Sequence, residues 1–128
     1  MSRWRLAGLV FVFLWFAIGG AAHFAFTETE MRIVPPYVPW PRAAVWVSGV
    51  AEWLGAAGLL WRPSRRAAGI GLILLTIAVT PANVQMLQQA AQFPAVPYWA
   101  LVARLPFQLV LLALIAWSTS AFARRRPA

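Results

Sequence analysis

Four stretches of this chain are long, apolar and nearly free of charge: residues 6–26, 43–61, 67–88 and 99–122. Each is long enough to cross a bilayer, because a helix rising about 1.5 Å per residue needs about 20 residues to span a hydrocarbon core roughly 30 Å thick. Within that core every backbone N–H and C=O must be satisfied inside the segment, so the fold class expected is all-α. Folding as a soluble domain is disfavoured by composition. Of 128 residues 62% are hydrophobic and only 11% charged, where soluble domains carry about 25% charged residues and a chain this short has too little interior to hide the excess. The expectation is one integral membrane domain over residues 1–128, an antiparallel four-helix bundle in contact with the lipid bilayer.

The connections read as loops. "TETEMRIVPPYVPWPR", residues 27–42, carries Pro35, Pro36, Pro39 and Pro41 together with Glu28, Glu30, Arg32 and Arg42, which excludes a continuous helix and marks a structured surface loop. "RPSRR", residues 62–66, reads as a short basic turn, and "AQFPAVPYW", residues 91–99, joins prolines to Tyr98 and Trp99, aromatics suited to the headgroup level. With four spans, Arg3, Arg5, Arg62, Arg65, Arg66, Arg124, Arg125 and Arg126 fall on one side and Arg32, Arg42 and Arg104 on the other. The positive-inside rule then places both termini in the cytoplasm. The basic N-terminus followed by an apolar run also resembles a secretory signal, but the run exceeds the usual core of about 7 to 15 residues, so a retained first span is expected.

Several function classes are excluded or disfavoured. The net charge of +8 does not point to nucleic acid, because most arginines flank apolar runs instead of covering a water-exposed face. The absence of cysteine removes disulfides, thiolate metal sites and any dithiol relay within this chain. One histidine and one glutamate on different helices fall short of the three or four ligands a zinc or iron site needs, so no metal is expected.

The polar residues inside the spans gather at one level. Counted down from the outer boundary at the helical rise, His23 and Asn83 lie near ~5 Å, Ser48 and Arg104 near ~8 Å, and Glu52 and Gln108 near ~14 Å. Ser48 and Glu52 are four apart, as are Arg104 and Gln108, while Thr76, Thr80 and Asn83 follow at four and three, so each helix collects its polar groups into one stripe. These residues form the candidate polar site in the outer half of the bundle. Glu52 is tolerable there if it is protonated, or if it pairs with Arg104 and is hydrogen-bonded by Ser48 and Gln108; pairing is the reading adopted. Such a pair can equally serve only to register two helices. His23 reads either as an interfacial residue bonded to a loop or as a proton donor and acceptor beside Glu52. Pro81 and Pro106, close to the same layer, remove backbone donors and are positioned to kink the third and fourth spans.

Five pieces, "GGAAHF", "VPPYVPWP", "SGVAEWLGAAGLL", "AVTPANVQM" and "RLPFQLVLLALIAW", occur in that order over nearly the whole chain. Together they resemble the DoxX-like family of small bacterial membrane proteins, with Gly20, His23, Pro36, Ser48, Gly49, Glu52, Pro81, Asn83, Arg104, Pro106 and Gln108 at the matching positions. The resemblance implies a four-helix bundle in the bacterial cytoplasmic (inner) membrane, acting as an accessory or anchoring subunit of a membrane redox or stress-response system. A membrane-associated oxidoreductase and a second copy of the chain are the partners it suggests. The alternative is a small-molecule site in which a quinone-like amphiphile enters between helices and meets His23, Arg104 or Gln108. A transporter fits less well, since a complete pathway needs a second polar layer on the cytoplasmic side. No haem, flavin or iron–sulfur motif is present, so the chain is not expected to be catalytic by itself.

Overall fold

The computed structural model describes residues 1–94 and 96–123. Arg124, Arg125 and Arg126, which enter the arginine asymmetry, lie outside the described residues, as does Ala95 in the last loop. The chain is all-helical, with no strand among the described residues. In order come α1 (Arg3–Ala25), α2 (Thr27–Met31), α3 (Pro41–Leu59), α4 (Arg62–Ala78), α5 (Thr80–Gln88), a single 3-10 turn (Ala90–Gln92) and α6 (Tyr98–Thr119). Three helical stretches are long and apolar enough to cross a membrane: Arg3–Ala25, Arg62–Gln88 and Tyr98–Thr119. The second expected span, residues 43–61, is helical as α3 but does not reach that apolarity, because Arg42, Ser48, Glu52 and several glycines and alanines dilute its aliphatic content.

Local chemistry explains the boundaries. Ser2 caps α1, its hydroxyl accepting from the Arg5 N–H at 3.1 Å. At the other end the Thr27 hydroxyl donates to the carbonyls of His23 (2.8 Å) and Phe24 (3.1 Å), groups with no partner inside the helix. Proline occupies the first turn of α3, α4 and α5, where its missing N–H costs nothing. The basic stretch 62–66 is therefore the opening of α4 and not a turn, since Pro63 is compatible with a helix start. Likewise the segment beginning at Thr27 first forms the short α2, because the prolines start only at Pro35. The third expected span is divided: the helix is interrupted at Val79, two residues before Pro81, and resumes as α5. Pro106, by contrast, lies inside an unbroken α6.

Packing follows a ring of contacts in which α1 touches α3 and α6, and α4 touches the same two; α5 lies on α6 and α2 on α3. Leu9, Val12 and Phe16 of α1 meet Ala56 and Leu59 of α3, Leu72 and Ile73 of α4, and Leu111 and Ile115 of α6. Large apolar side chains also cover the outside, among them Ile18, Val47, Leu54, Leu74, Leu109 and Val110, all more than half exposed. Apolar exposure on this scale is unsuited to water and suited to lipid. The α1 and α3 backbones approach closely, since a Cβ on Gly20 would stand 3.0 Å from the Gly49 carbonyl oxygen. Small residues give these helices a contact that dispersion forces can use in a lipid environment.

One end of the molecule is basic. Arg5 donates through Nε to the Trp117 carbonyl (3.2 Å), Arg65 to Leu59 (2.9 Å) and Arg66 to Ala121 (3.0 Å). These arginines thus cap carbonyls at or just beyond the C-terminal ends of α3 and α6. The candidate polar residues lie toward the opposite end.

Candidate functional site

At that opposite end the helices surround a half-open cavity of about 340 Å³. His23 enters it from the last turn of α1, Ser48 and Glu52 from successive turns of α3, Asn83 from α5, and Arg104 and Gln108 from successive turns of α6. All six candidate residues line this one space. Phe16, Phe107 and Leu111 supply its apolar wall, and Val34, Pro35 and Val38 of the Pro-rich segment cover it.

Two networks hold the polar groups. In the first, His23 Nδ1 lies 2.8 Å from the Val45 carbonyl oxygen. A carbonyl can only accept, so Nδ1 carries a hydrogen. The other ring nitrogen, Nε2, faces Glu52 Oε1 at 3.5 Å, and Glu30 Oε2 stands 3.4 Å from Nδ1. Imidazole thus lies between two carboxyl groups, one from α2 and one from α3. Glu52 is 9% exposed, and its Oε2 is buried with no hydrogen-bond partner among the described residues. That oxygen rests where Gly19 has no side chain; a Cβ there would be 2.9 Å away.

The second network is built on the interruption at Val79. The Thr76 carbonyl accepts from the Thr80 hydroxyl (3.1 Å) and from Gln108 Nε2 (2.6 Å). Gln108 Nε2 also donates to Thr80 Oγ1 (2.5 Å), and Gln108 Oε1 accepts from Asn83 Nδ2 at 3.0 Å. Side chains from α5 and α6 thereby satisfy a carbonyl beside a helix break, a requirement that is strict where water is excluded. Ser48 donates to the Ala44 carbonyl of its own helix at 2.7 Å.

The expected Glu52–Arg104 ion pair is absent among the described residues. Arg104 is exposed and its Nη1 lies 2.9 Å from Met86 Sδ on α5. The reason is the order of packing: α3 lies against α1 and α4, whereas α6 lies against α1, α4 and α5, so the ionisable partner that reaches Glu52 comes from α1. Ser48 and Gln108 likewise bond elsewhere and leave Glu52 to His23.

Depth within the spans does not point to Glu30, which lies in the segment that follows α1. Burial raises its pKa above the ordinary 4.5; His23 opposes the rise, Glu52 adds to it and Arg104 opposes it. A sequence signal for it does exist. Glu30 follows His23 by seven residues, two helical turns, and the chain leaves helical geometry only briefly between Ala25 and Thr27. Among the described residues no group of three His, Cys, Asp or Glu is arranged to hold a metal ion.

The model of a family described as a domain of unknown function, DUF8561, matches residues 12–121. The chain belongs to the DUF8561 family. No curated protein and no solved structure matches it. The matched DUF8561 segment contains every residue that lines the cavity, together with all six helices except the first turns of α1.

Proposed function

We propose that this DUF8561 protein is a multi-pass protein of the bacterial inner membrane, an antiparallel four-helix bundle with both termini cytoplasmic, that holds a small amphiphile in its outer-end cavity. The observation that carries the reading is the cavity itself. About 340 Å³ falls in the size range of ligand sites, roughly 300–1,000 Å³, and a mostly apolar wall with a few convergent polar groups is their usual composition. A network that only registers helices has no use for such a space.

Support for four spans comes from the way α3 is oriented. Its polar residues Ser48 and Glu52 line the cavity, while Val47, Val50 and Leu54 are exposed on the outside. A span that shelters its polar stripe in a bundle tolerates a lower overall hydropathy. Cytoplasmic termini follow from the arginines gathered at the opposite end. The resemblance to the DoxX-like family supports the same bundle, and an accessory or anchoring role beside a membrane oxidoreductase or stress-response partner is the setting it implies. A quinone-like molecule is the cofactor class that setting suggests. Within this reading the chain binds and presents the molecule and carries out no reaction alone.

Purification from membranes in mild detergent, solvent extraction and mass spectrometry test the reading. A near-stoichiometric amphiphile should accompany the wild type and be lost from Ser48→Phe, which puts a phenyl ring into the cavity. An empty wild-type extract, with a melting curve that no amphiphile shifts, would contradict it.

A further inference from the structure

The basic end of the molecule, away from the cavity, gathers cations and no carboxylate side chain. Arg3 and Arg5 open α1, and Arg62, Arg65 and Arg66 open α4. The chain's three carboxylate side chains are elsewhere: Glu30 and Glu52 line the cavity, and Glu28 stands 3.9 Å from Arg42. Arg5, Arg65 and Arg66 each spend Nε on a carbonyl, of Trp117, Leu59 and Ala121 in turn. Among the described residues their Nη nitrogens have no hydrogen-bond or ion-pair partner, which leaves each guanidinium the two-pronged edge that matches the oxygens of a phosphate. A shallow open groove on α6 has Arg5 at its edge and Ala113, Ala116, Trp117 and Phe122 along it. Ala113 is exposed, as is Leu109 one turn before it on the same face, so the groove runs on into the apolar outside of α6.

We propose that this groove holds an anionic phospholipid, its phosphodiester on the Nη edge of Arg5 and an acyl chain along Ala116, Ala113 and Leu109. The site is separate from the cavity and does not depend on what the cavity binds. Charge complementarity selects the anionic class, because a zwitterionic lipid brings a cation of its own to an end already crowded with arginines. Trp4, Trp61 and Trp117 are exposed at this end, and such aromatics settle at the head-group level, which sets Arg5 beside lipid phosphates. The small side chains at 113 and 116 leave room for a chain to lie against the helix. Arg66 reaches the same end of α6, at Ala121, and adds to the field without lining the groove. An acidic peptide matches the charge but brings no acyl chain for the apolar run.

The test titrates phosphatidylglycerol and phosphatidylcholine with identical chains onto the delipidated full chain in mild detergent, bound lipid being counted by native mass spectrometry. Phosphatidylglycerol should bind at least about tenfold more tightly than phosphatidylcholine. In Arg5→Gln that preference should shrink to within about threefold, whereas Arg3→Gln, which removes the same charge from outside the groove, should keep it. Ala113→Trp leaves every arginine in place and fills the apolar run; it should weaken phosphatidylglycerol binding by about tenfold, and it decides the matter if Arg5→Gln does not fold. Equal binding of the two lipids, equal losses in Arg5→Gln and Arg3→Gln, or undiminished binding in Ala113→Trp overturns the proposal. Displacement of the lipid by equimolar glycerol phosphate or a soluble acidic peptide overturns it as well, since neither has a chain for the groove.

Discussion

Glu52 keeps its place because Gly19 has no side chain and His23 offers a ring nitrogen. A methyl group at position 19 would stand 2.9 Å from Oε2, so the buried carboxyl has to shift to make room. At Gly71 an added Cβ meets nothing within 4 Å. Gly71→Ala should therefore be neutral or slightly stabilising, since alanine favours a helix over glycine by roughly 0.5–1 kcal/mol, whereas Gly19→Ala should be about 1–2 kcal/mol worse than that reference. Thermal unfolding of the two variants in one detergent measures the difference. Glu30 gives a pH dependence of known sign. Its pKa is raised in the folded protein by burial, with His23 and Arg104 opposing and Glu52 reinforcing, so the native state holds the proton more tightly than the unfolded chain. Its contribution to stability is largest at low pH and is lost as pH rises from the ordinary 4.5 through the raised value. Glu30→Gln should flatten the melting temperature over that window and raise it at neutral pH relative to wild type.

At the scale of elements the interruption between α4 and α5 is the feature on which the cavity depends. It leaves the Thr76 carbonyl accepting from Thr80 and Gln108 and directs Asn83 to the same amide. Gln108→Leu keeps the volume but leaves the Asn83 amide without its acceptor and takes a donor from the Thr76 carbonyl. Loss of about 2–4 kcal/mol is expected, read as detergent-solubilised thermal stability. A loss below about 0.5 kcal/mol would mean that these groups find water or lipid partners instead. The gathering of His23, Ser48, Glu52, Asn83, Arg104 and Gln108 was legible in the sequence, because helical rise fixes depth and four-residue spacing fixes a face. Which residues bond was not legible. Rotation of each helix about its axis and the order of helices around the ring decide that, and they exchanged the expected Arg104 for His23 as the partner of Glu52. Pro81 announced a disturbance in its helix, but Pro106 gave the same signal and α6 runs on unbroken. Sequence alone does not say at which proline the helix is interrupted.

The whole molecule is polarised. Arginine-capped helix ends lie at one extreme, a half-open cavity with an apolar wall and a few polar groups at the other, and apolar side chains cover much of the outside. Within the proposed topology, reporter fusions after residue 123 and within residues 32–40 should report opposite sides of the membrane, the former cytoplasmic. A shared side would remove α3 as a span. The central claim, that the cavity is a binding site, is tested most directly by the melting curve of the wild-type protein in nanodiscs as heptylphenol is titrated. A ligand that binds only the native state raises stability by about 2.7 kcal/mol at a hundred times its Kd. A saturable rise that Ser48→Phe abolishes is the predicted result. A flat melting curve from protein shown to be folded, with heptylhydroquinone and heptylbenzoquinone equally without effect, would contradict it.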